Sequence, residues 1–592
     1  MKLKYQVLTL SVMSLLGSSA FAFTNVPAGS ITTSQTWTVA NSPYILQGQV
    51  FVTGAGTVLD IEPGTIIRGQ PQSAAGAADA GSLIIRPEAK IQARGTAANP
   101  IIFTTAALDS GLATGGAATG IALGYSSSTL PTRFDIATNT DAQYLDLNPA
   151  TSPLAPRDNT GGVANGPLTL KNTSMWGGLI LVGDAPTNKG QQVDIDADTI
   201  LAEANSDGFG FIEGIQPQNT LAIYGGVNSE HNGGILKYVS IRHGGAALST
   251  GKELNALTLY SVGSKTTISY IDTYCSGDDG VEIFGGTVNL DHLNLNYCDD
   301  DGLDTDQGWQ GLAQFVFVLQ GFGYGDNGIE ADGEDKVESN QATFGNPDAA
   351  TPYGDQRIYN ATVLLNTQAK AVDLVNSNDT GASNGARLRA GWAGQLVNSI
   401  IQNCSPTVAG QGLRIDGLKT TGLTVGETAE YGNSARTYFG LGLAKALNNT
   451  VVGFSANYAA FSVTDGTNTF SWSAAGAASG STITKVSSPV VAVGYAVGSV
   501  YYPITQNATS TGVYPNYLIA IPDHLSAGGV NPRVKSNSGT IINAGNYQTT
   551  QNNSYVVSPA VTTAYRGAFD RSAATLWTFG WTALNKRGIL AN

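Results

Sequence analysis

The residues best placed to do chemistry are carboxylates crowded between positions 278 and 335. Gly277-Asp278-Asp279-Gly280-Val281-Glu282 recurs 22 residues on as Asp299-Asp300-Asp301-Gly302-Leu303-Asp304, and Gly325-Asp326-Asn327-Gly328-Ile329-Glu330 follows after another 26. If each repeat is one turn of a coil, Asp278 and Asp279, Asp300 and Asp301, and Asp326 stack along one edge. Glu282, Asp304 and Glu330 then stack on the adjoining strand. Asp299, Asp306, Asp332, Glu334 and Asp335 join the same neighbourhood. Carboxylates roughly 5 Å apart repel unless a cation lies between them or one keeps a proton. Ca²⁺, with about six to eight oxygen ligands, suits such an edge. The competing reading is that Asp-Gly simply makes good turns and the acids face water. Runs of two and three acids are more than a turn needs.

The same cluster invites an enzymatic reading. Hydrolysis of a glycan needs two carboxylates with separated pKa values, and crowding is a direct way to raise one of them. A Ca²⁺-dependent lyase needs instead a base for the sugar proton, for which Lys370, Arg387 and Arg389 are candidates. Asp278-Asp279 resembles the paired aspartates of polygalacturonase-like enzymes. However, the chain has no Gly-His-Gly, and Arg414-Ile415-Asp416 stands where Arg-Ile-Lys is wanted. Lyase therefore ranks above hydrolase among the enzymatic alternatives.

Other reactive side chains say less. His231, His243, His292 and His524 lack paired metal-ligand spacing. His243 is the one histidine worth testing as a base, against a structural role that is favoured for it. Cys275 and Cys298, about one coil apart, are either a disulfide in an oxidising compartment or two buried thiols, and Cys404 has no evident partner. Trp309, Phe322 and Tyr324 either form a platform for sugar rings or fill the interior. Trp309 and Tyr324 are the glycan-contact candidates. The glycine-rich run 321–325 opens no helix after a strand, so nucleotide binding is not expected.

These side chains must be carried by short, stacked strands. Residues 61–69 and 85–93 share an Ile, Pro and turn pattern at an offset of 24, too short for a strand-helix-strand unit of about 30 residues and suited to one solenoid coil. A coil buries alternate Val, Ile and Leu, and needs neighbours stacked at about 4.8 Å to do so. Gly and Asn are expected at its left-handed corners. Strand-like runs at 175–183, 235–245, 256–271, 288–295, 314–319, 358–365 and 395–401 fit this scheme, and helical periodicity is nearly absent. The expected fold is therefore all-β, a right-handed parallel β-helix. Residues 106–169 and 455–511 break the rhythm as long insertions, which carry specificity or are tolerated decoration. Trp577 and Trp581, in a C-terminal cap at about 560–592, are expected to cover the last coil.

Lys2 and Lys4, the apolar run 7–16 and Ala20-Phe21-Ala22 read as a signal peptide over 1–22, leaving a single domain 23–592 that begins at Phe23. No cysteine follows the cut for a lipid anchor, and no later run is long enough to span a bilayer. The expected location is secreted, extracellular or cell-surface, with the periplasm as an alternative. The formal net charge is −14, and −16 once the two leader lysines are removed, which disfavours nucleic acid and anionic membranes. Only 12% of residues are charged and 73 are glycine, while 42% are hydrophobic, enough for a continuous core.

Longer stretches then add a likeness. Glu62-Pro63-Gly64-Thr65, residues 95–104, Trp176-Gly177-Gly178-Leu179-Ile180, Tyr224-Gly225-Gly226 and residues 236–245 resemble a group of exported bacterial parallel β-helix proteins. The likeness continues through residues 278–286 and into Tyr565-Arg566-Gly567-Ala568-Phe569 and Trp577-Thr578-Phe579-Gly580-Trp581-Thr582. Members are mostly described as secreted or surface proteins, often lipoproteins. The resemblance thus implies fold and location more than activity. The resulting expectation is a secreted or surface β-helix that binds a divalent cation, Ca²⁺ being the candidate, and an extracellular polysaccharide or surface partner. A Ca²⁺-dependent polysaccharide-active enzyme is the alternative.

Overall fold

The computed structural model describes residues 23–72, 79–106, 173–189, 208–215, 219–249, 252–320, 325–333, 354–365, 384–403, 411–416, 435, 444–447, 449–452, 456–458, 461–465, 468–475, 482–487, 505–507, 518–520, 531–534, 560–586 and 590. The proposed leader, nearly all of the 106–169 insertion, Phe322, Tyr324, Glu334, Asp335, Lys370, Cys404 and His524 lie outside the described residues.

The strands form the parallel β-helix expected from the repeats, coiling through three faces. Sheet A stacks Gln35–Trp37, Val58–Ile61 and Lys90–Arg94, the first halves of four long strands, then Arg357–Tyr359, Gln395–Val397 and Lys445–Leu447. The four long strands are Gly234–Arg242, Thr267–Tyr274, Asn289–Asn296 and Leu312–Leu319. Sheet B stacks their second halves between Ile66–Gly69 and Ile101–Thr105 on one side and Thr362–Leu365, Ile400–Asn403 and Thr450–Val452 on the other. Sheet C runs from the end of Tyr44–Val52 through Ser82–Ile85, Gly178–Val182, Leu257–Tyr260, Val281–Phe284, Leu303–Asp306, Asn327–Asp332 and Asn384–Arg389 to Gln411–Ile415.

Period-two alternation decides what each strand buries. On sheet C, Leu179, Leu257, Val281, Leu303, Ile329, Ala386 and Leu413 fall in one inward column of a continuous apolar core, and the residue after each points outward. At the A–B corner the backbone is left-handed at Tyr238, Tyr270, His292 and Phe315, with φ of 49°, 56°, 56° and 60°. Glycine and asparagine were expected there, and asparagine takes over only at Asn360 and Asn398. The strain of a bulky residue in that region is offset by ring stacking, with centroids 4.4, 4.3 and 4.7 Å apart along the column.

Several expectations need correction. The 24-residue repeat is not one coil: Ile61 pairs with Ala93, so Glu62-Pro63-Gly64-Thr65 and Arg86-Pro87-Glu88-Ala89 are two different corners. The mid-chain offsets of 22 and 26 are true coil lengths. An excursion that sequence patterning did not mark leaves sheet C after Val182 and returns at Gly234. Its hairpin, Phe209–Phe211 with Ile223–Gly225, lies over the first part of sheet C, burying Ile212 and Tyr224 against Ile180, Val182, Tyr260 and Phe284. Within the second insertion, Phe461–Asp465, Asn468–Ala475 and Thr482–Ser487 form an antiparallel meander, while Ala456–Tyr458 and Thr505–Asn507 remain part of the coil. The C-terminal segment runs along the flank at the A–B corner and packs Trp581 on Tyr238 and Tyr270. It lies across coils in mid-solenoid, because that is where outward aromatic rings leave apolar surface to cover.

Candidate acidic and arginine face

The corner that leads into sheet C is built on a ladder of side chains. Asn255 Oδ1 accepts the Asp279 N–H at 3.0 Å, Asp279 Oδ1 accepts the Asp301 N–H at 2.8 Å, and Asp301 Oδ1 accepts the Asn327 N–H. The ladder continues as Asn384 Nδ2 donates to Asn327 Oδ1 at 2.8 Å and Asn384 Oδ1 accepts the Gln411 N–H at 3.2 Å. Asp279 and Asp301 are thus buried coil-to-coil links, and each has one oxygen committed to the neighbouring backbone. The other acids of this edge, Asp278, Asp300 and Asp326, are more open, with Asp300 exposed.

Beyond the corner, the expected stack of Glu282, Asp304 and Glu330 is present in register as the outward column of sheet C. The same column comes from Phe51, Ile84, Ile180 and Thr258 and goes on to Arg387 and Arg414. Two residues on, a parallel column passes from Val182, Tyr260 and Phe284, under the hairpin, to Asp306, Asp332 and Arg389. The face therefore changes along the helix axis from covered and apolar, to acidic, to basic.

One carboxylate oxygen from each member of Asp278–Asp279–Asp300, of Asp279–Glu282–Asp304 and of Asp300–Asp301–Asp326 lies within 4.8 Å of the other two. Burial, reinforced by this crowding, raises several of these pKa values well above the usual carboxylate range. Asp278 is raised by burial and then by Asp300, and Asp279 by burial and then by Asp278, Glu282 and Asp304. Glu282 is raised by burial and then by Asp304, Asp301 by burial and then by Asp300 and Glu330, and Asp304 by burial and then by Glu330 and Asp332. Glu282 accepts from Asn255 Nδ2, and Glu330 from Asn327 Nδ2 at 2.9 Å. Asp304 Oδ1 is buried with no hydrogen-bond partner among the described residues. An oxygen in that position is a fitting ligand for a cation.

The arginines are not free bases. Arg389 pairs with both Glu330 and Asp332. Arg387 lies 3.4 Å from Glu330 and 3.0 Å from Asp416, which Arg414 also holds at 2.7 Å. Burial on its own would lower the Arg389 pKa, but Asp332 and Glu330 outweigh it and hold the guanidinium charged; Glu330 and Asp416 do the same for Arg387. Arg387 and Arg389 were expected within reach of the acids, and they stand on the next coil. The Asp416 bridge and the role of Asn255 as the ladder's first rung were missed. The spacing of 24 from Asn255 to Asp279 was the available signal.

The remaining candidates resolve as follows. Trp309 is not a glycan contact: it is fully buried in the core and donates its Nε1–H to Val288 O at 3.0 Å. Left-handed Gln307 and Gly308, at φ 56° and 74°, turn the chain inward after the outward Asp306. His243 is fully buried, left-handed at φ 60° and edge-on to Tyr274, so it packs the B–C corner and cannot reach a substrate. His231 is buried, bonds Pro87 O at 3.1 Å and has a pKa lowered by burial, while His292 stacks in the aromatic column. Cys275 and Cys298 are buried thiols that are not joined in a disulfide. The coil length of 22 puts Tyr297, and not Cys298, beside Cys275.

A parallel β-helix with a charged, buried to half-buried column on the outward side of one sheet defines the class of protein. The sequence matches the family described as pectate-lyase like beta helix domain over residues 29–124 and 162–487, and the chain belongs to that family. No curated protein matches the sequence. Among solved structures, the Dettilon tailspike protein is similar over 76% of this chain and 69% of its own, at 9% identity and a TM-score of 0.22. No helix among the described residues is long and apolar enough to cross a membrane.

Proposed function

We propose that this protein is an exported β-helix that binds a polysaccharide along sheet C without cleaving it, and that a divalent cation, Ca²⁺ in the first instance, occupies the acidic stretch. The observation that carries the reading is the outward column Glu282–Asp304–Glu330–Arg387–Arg414, five charged side chains in register over consecutive coils. A linear polymer lying along the helix axis would meet one charged position about every 4.8 Å. The pectate-lyase-like family supports a polysaccharide as the polymer. The orphaned Asp304 Oδ1 and the raised carboxylate pKa values support the cation, which would relieve the repulsion. Location outside the cell rests on the leader-like residues 1–22.

A lyase has one observation in its favour, the arginines next to the acids, and the same geometry weighs against it. A general base must give up its proton, and Arg387 and Arg389 are held charged by their carboxylate partners. The test is calorimetric titration of the protein with Ca²⁺ and then with polygalacturonate, alongside Glu282→Gln/Asp304→Asn and Arg414→Ala variants, with ultraviolet absorbance followed for unsaturated product. Saturable Ca²⁺ binding lost in the acid variant, polymer binding weakened in the arginine variant and no absorbance change would support the proposal. Accumulating unsaturated product would replace it with a lyase.

A further inference from the structure

The C-terminal segment 560–586 and the flank beneath it have an unequal relation. The coil's own ladders are complete under the segment: Ile268 pairs with Leu290 and Leu290 with Ala313, and Ile271 with Leu293 and Leu293 with Val316. The segment joins none of them. Apart from the single turn Ala583–Lys586, it has no regular structure of its own.

It is held at spaced points across successive coils. Arg566 donates to Thr450 Oγ1 at 2.9 Å, the Gly567 N–H to Asn398 O at 2.7 Å and the Ala568 N–H to Thr362 Oγ1 at 2.8 Å. Gln314 exchanges two bonds with the backbone of Val561, both 2.8 Å. Trp577 packs edge-on against His292, and Trp581 edge-on against Tyr238, at 5.2 Å each. At the far end the fully buried Asp272 accepts the Ala583 N–H at 3.0 Å, together with Ser240 and Asn294. Under this cover Tyr274, Phe315, Phe317, Leu319, Leu364 and Ile400 turn outward from the coil into a second apolar cluster with Phe569, Leu576 and Leu584.

We propose that this flank is a peptide-docking groove and that the chain's own C-terminus occupies it as a separable strap, which detaches while the coil stays folded. The occupant is set by the match of Trp577 and Trp581 of the strap to the ring column, by the edge-on packing of Phe569 on Phe317, and by the Asp272 carboxylate at the groove's end. Release of the strap uncovers an apolar strip that fits the same segment from a second copy.

The test uses the full-length protein. Native-state hydrogen exchange is measured on the wild type, with amides of 560–586 compared with amides of the strands Thr267–Tyr274 and Asn289–Asn296 beneath them. The strap is expected to exchange at least tenfold faster, through an opening that leaves those strands protected. A labelled peptide of residues 560–592 is then added to Trp581→Ala and to Trp577→Ala proteins, two variants altered in the strap and not in the groove, so that misfolding of one leaves the other to decide. Saturable binding, displaced by unlabelled peptide and at least tenfold weaker in the wild type whose own strap competes intramolecularly, is the expected result. Strap and strand amides exchanging together, or no peptide binding by a folded variant, would overturn the proposal.

Discussion

Asp301 is the position at which structural and ligand roles separate most cleanly. Its Oδ1 accepts the Asn327 N–H and its Oδ2 the Asn327 Nδ2 at 3.3 Å, inside a buried corner. Asp301→Ala strands the Asn327 N–H, while the Asn327 side-chain amide keeps Glu330 at 2.9 Å, and a buried backbone donor left unpaired costs about 1–3 kcal/mol. Asp301→Asn keeps an oxygen for the backbone donor and removes a charge crowded by Asp300, Glu330, Asp326 and Asp304, so in EDTA it should be neutral or stabilising at pH 7. The linkage has a definite sign. A carboxyl whose pKa is raised on folding contributes stability that is full below its unfolded value, about 3.9, and is lost as pH rises through the folded value. The metal-free wild type should therefore weaken from pH 4 towards neutrality, and Asp301→Asn should flatten that fall. Excess Ca²⁺ at about 100 times Kd should restore about 2.7 kcal/mol to the wild type, and less to the variant. Urea unfolding monitored by tryptophan fluorescence, with EDTA or Ca²⁺ at several pH values, reads all three effects. Equal damage from the Ala and Asn substitutions in EDTA would refute the ladder argument, and equal Ca²⁺ stabilisation of wild type and Asn variant would refute the cation.

Three further outcomes follow from the same geometry. Arg389→Ala leaves Asp332 without the guanidinium and Glu330 with Arg387 alone, and a loss of about 1–3 kcal/mol is expected, discounted for partial solvent access; a change within error in urea midpoint would mean that the pairs are not maintained in solution. Trp309→Ala should cost about 3–5 kcal/mol as a core cavity while leaving polymer affinity of the folded protein unchanged, measured by calorimetry. Cys275 and Cys298 should resist a thiol reagent until urea unfolds the chain, since both are buried and burial raises the Cys298 pKa; rapid labelling of the native protein at either one contradicts this.

What was legible in the sequence depended on whether a signal repeats with the coil. The Asp-Gly corners do, so the sequence pattern alone stacks Glu282, Asp304 and Glu330 in the register they have. Proline turns do not, because the coil has several corners with similar chemistry, and residues 61–69 and 85–93 took the place of a repeat they do not form. Trp309 misled for a different reason. Two left-handed residues after Asp306 reset the parity of the strand, and a ring next to acids in sequence ended on the opposite side of the wall. The hairpin over sheet C and the C-terminal strap are tertiary contacts between segments far apart in the chain, and no local pattern encodes where either lands.

The ladder bears directly on the proposed cation. Its rungs at 255, 327 and 384 are asparagine, and each satisfies the next coil with a neutral oxygen. Asp279 and Asp301 perform the same backbone task, and their charge adds nothing to it while burial and neighbouring acids penalise ionisation. The proposed cation would account for a rule of local consistency broken twice, at adjacent rungs. Both aspartates lie at the root of carboxylate groups whose oxygens converge within 4.8 Å, and they adjoin the acidic stretch of an outward sheet face that turns basic one coil later. A cation held there would convert two unfavourable rungs into ligands and present its positive charge to an acidic polymer, leaving the paired arginines to steady the next sugars along the axis. On this account the stability lost in EDTA and the affinity for polymer must share one Ca²⁺ dependence. If polymer affinity is unchanged by EDTA while stability falls, the cation serves only the fold and the arginine end alone recognises the glycan.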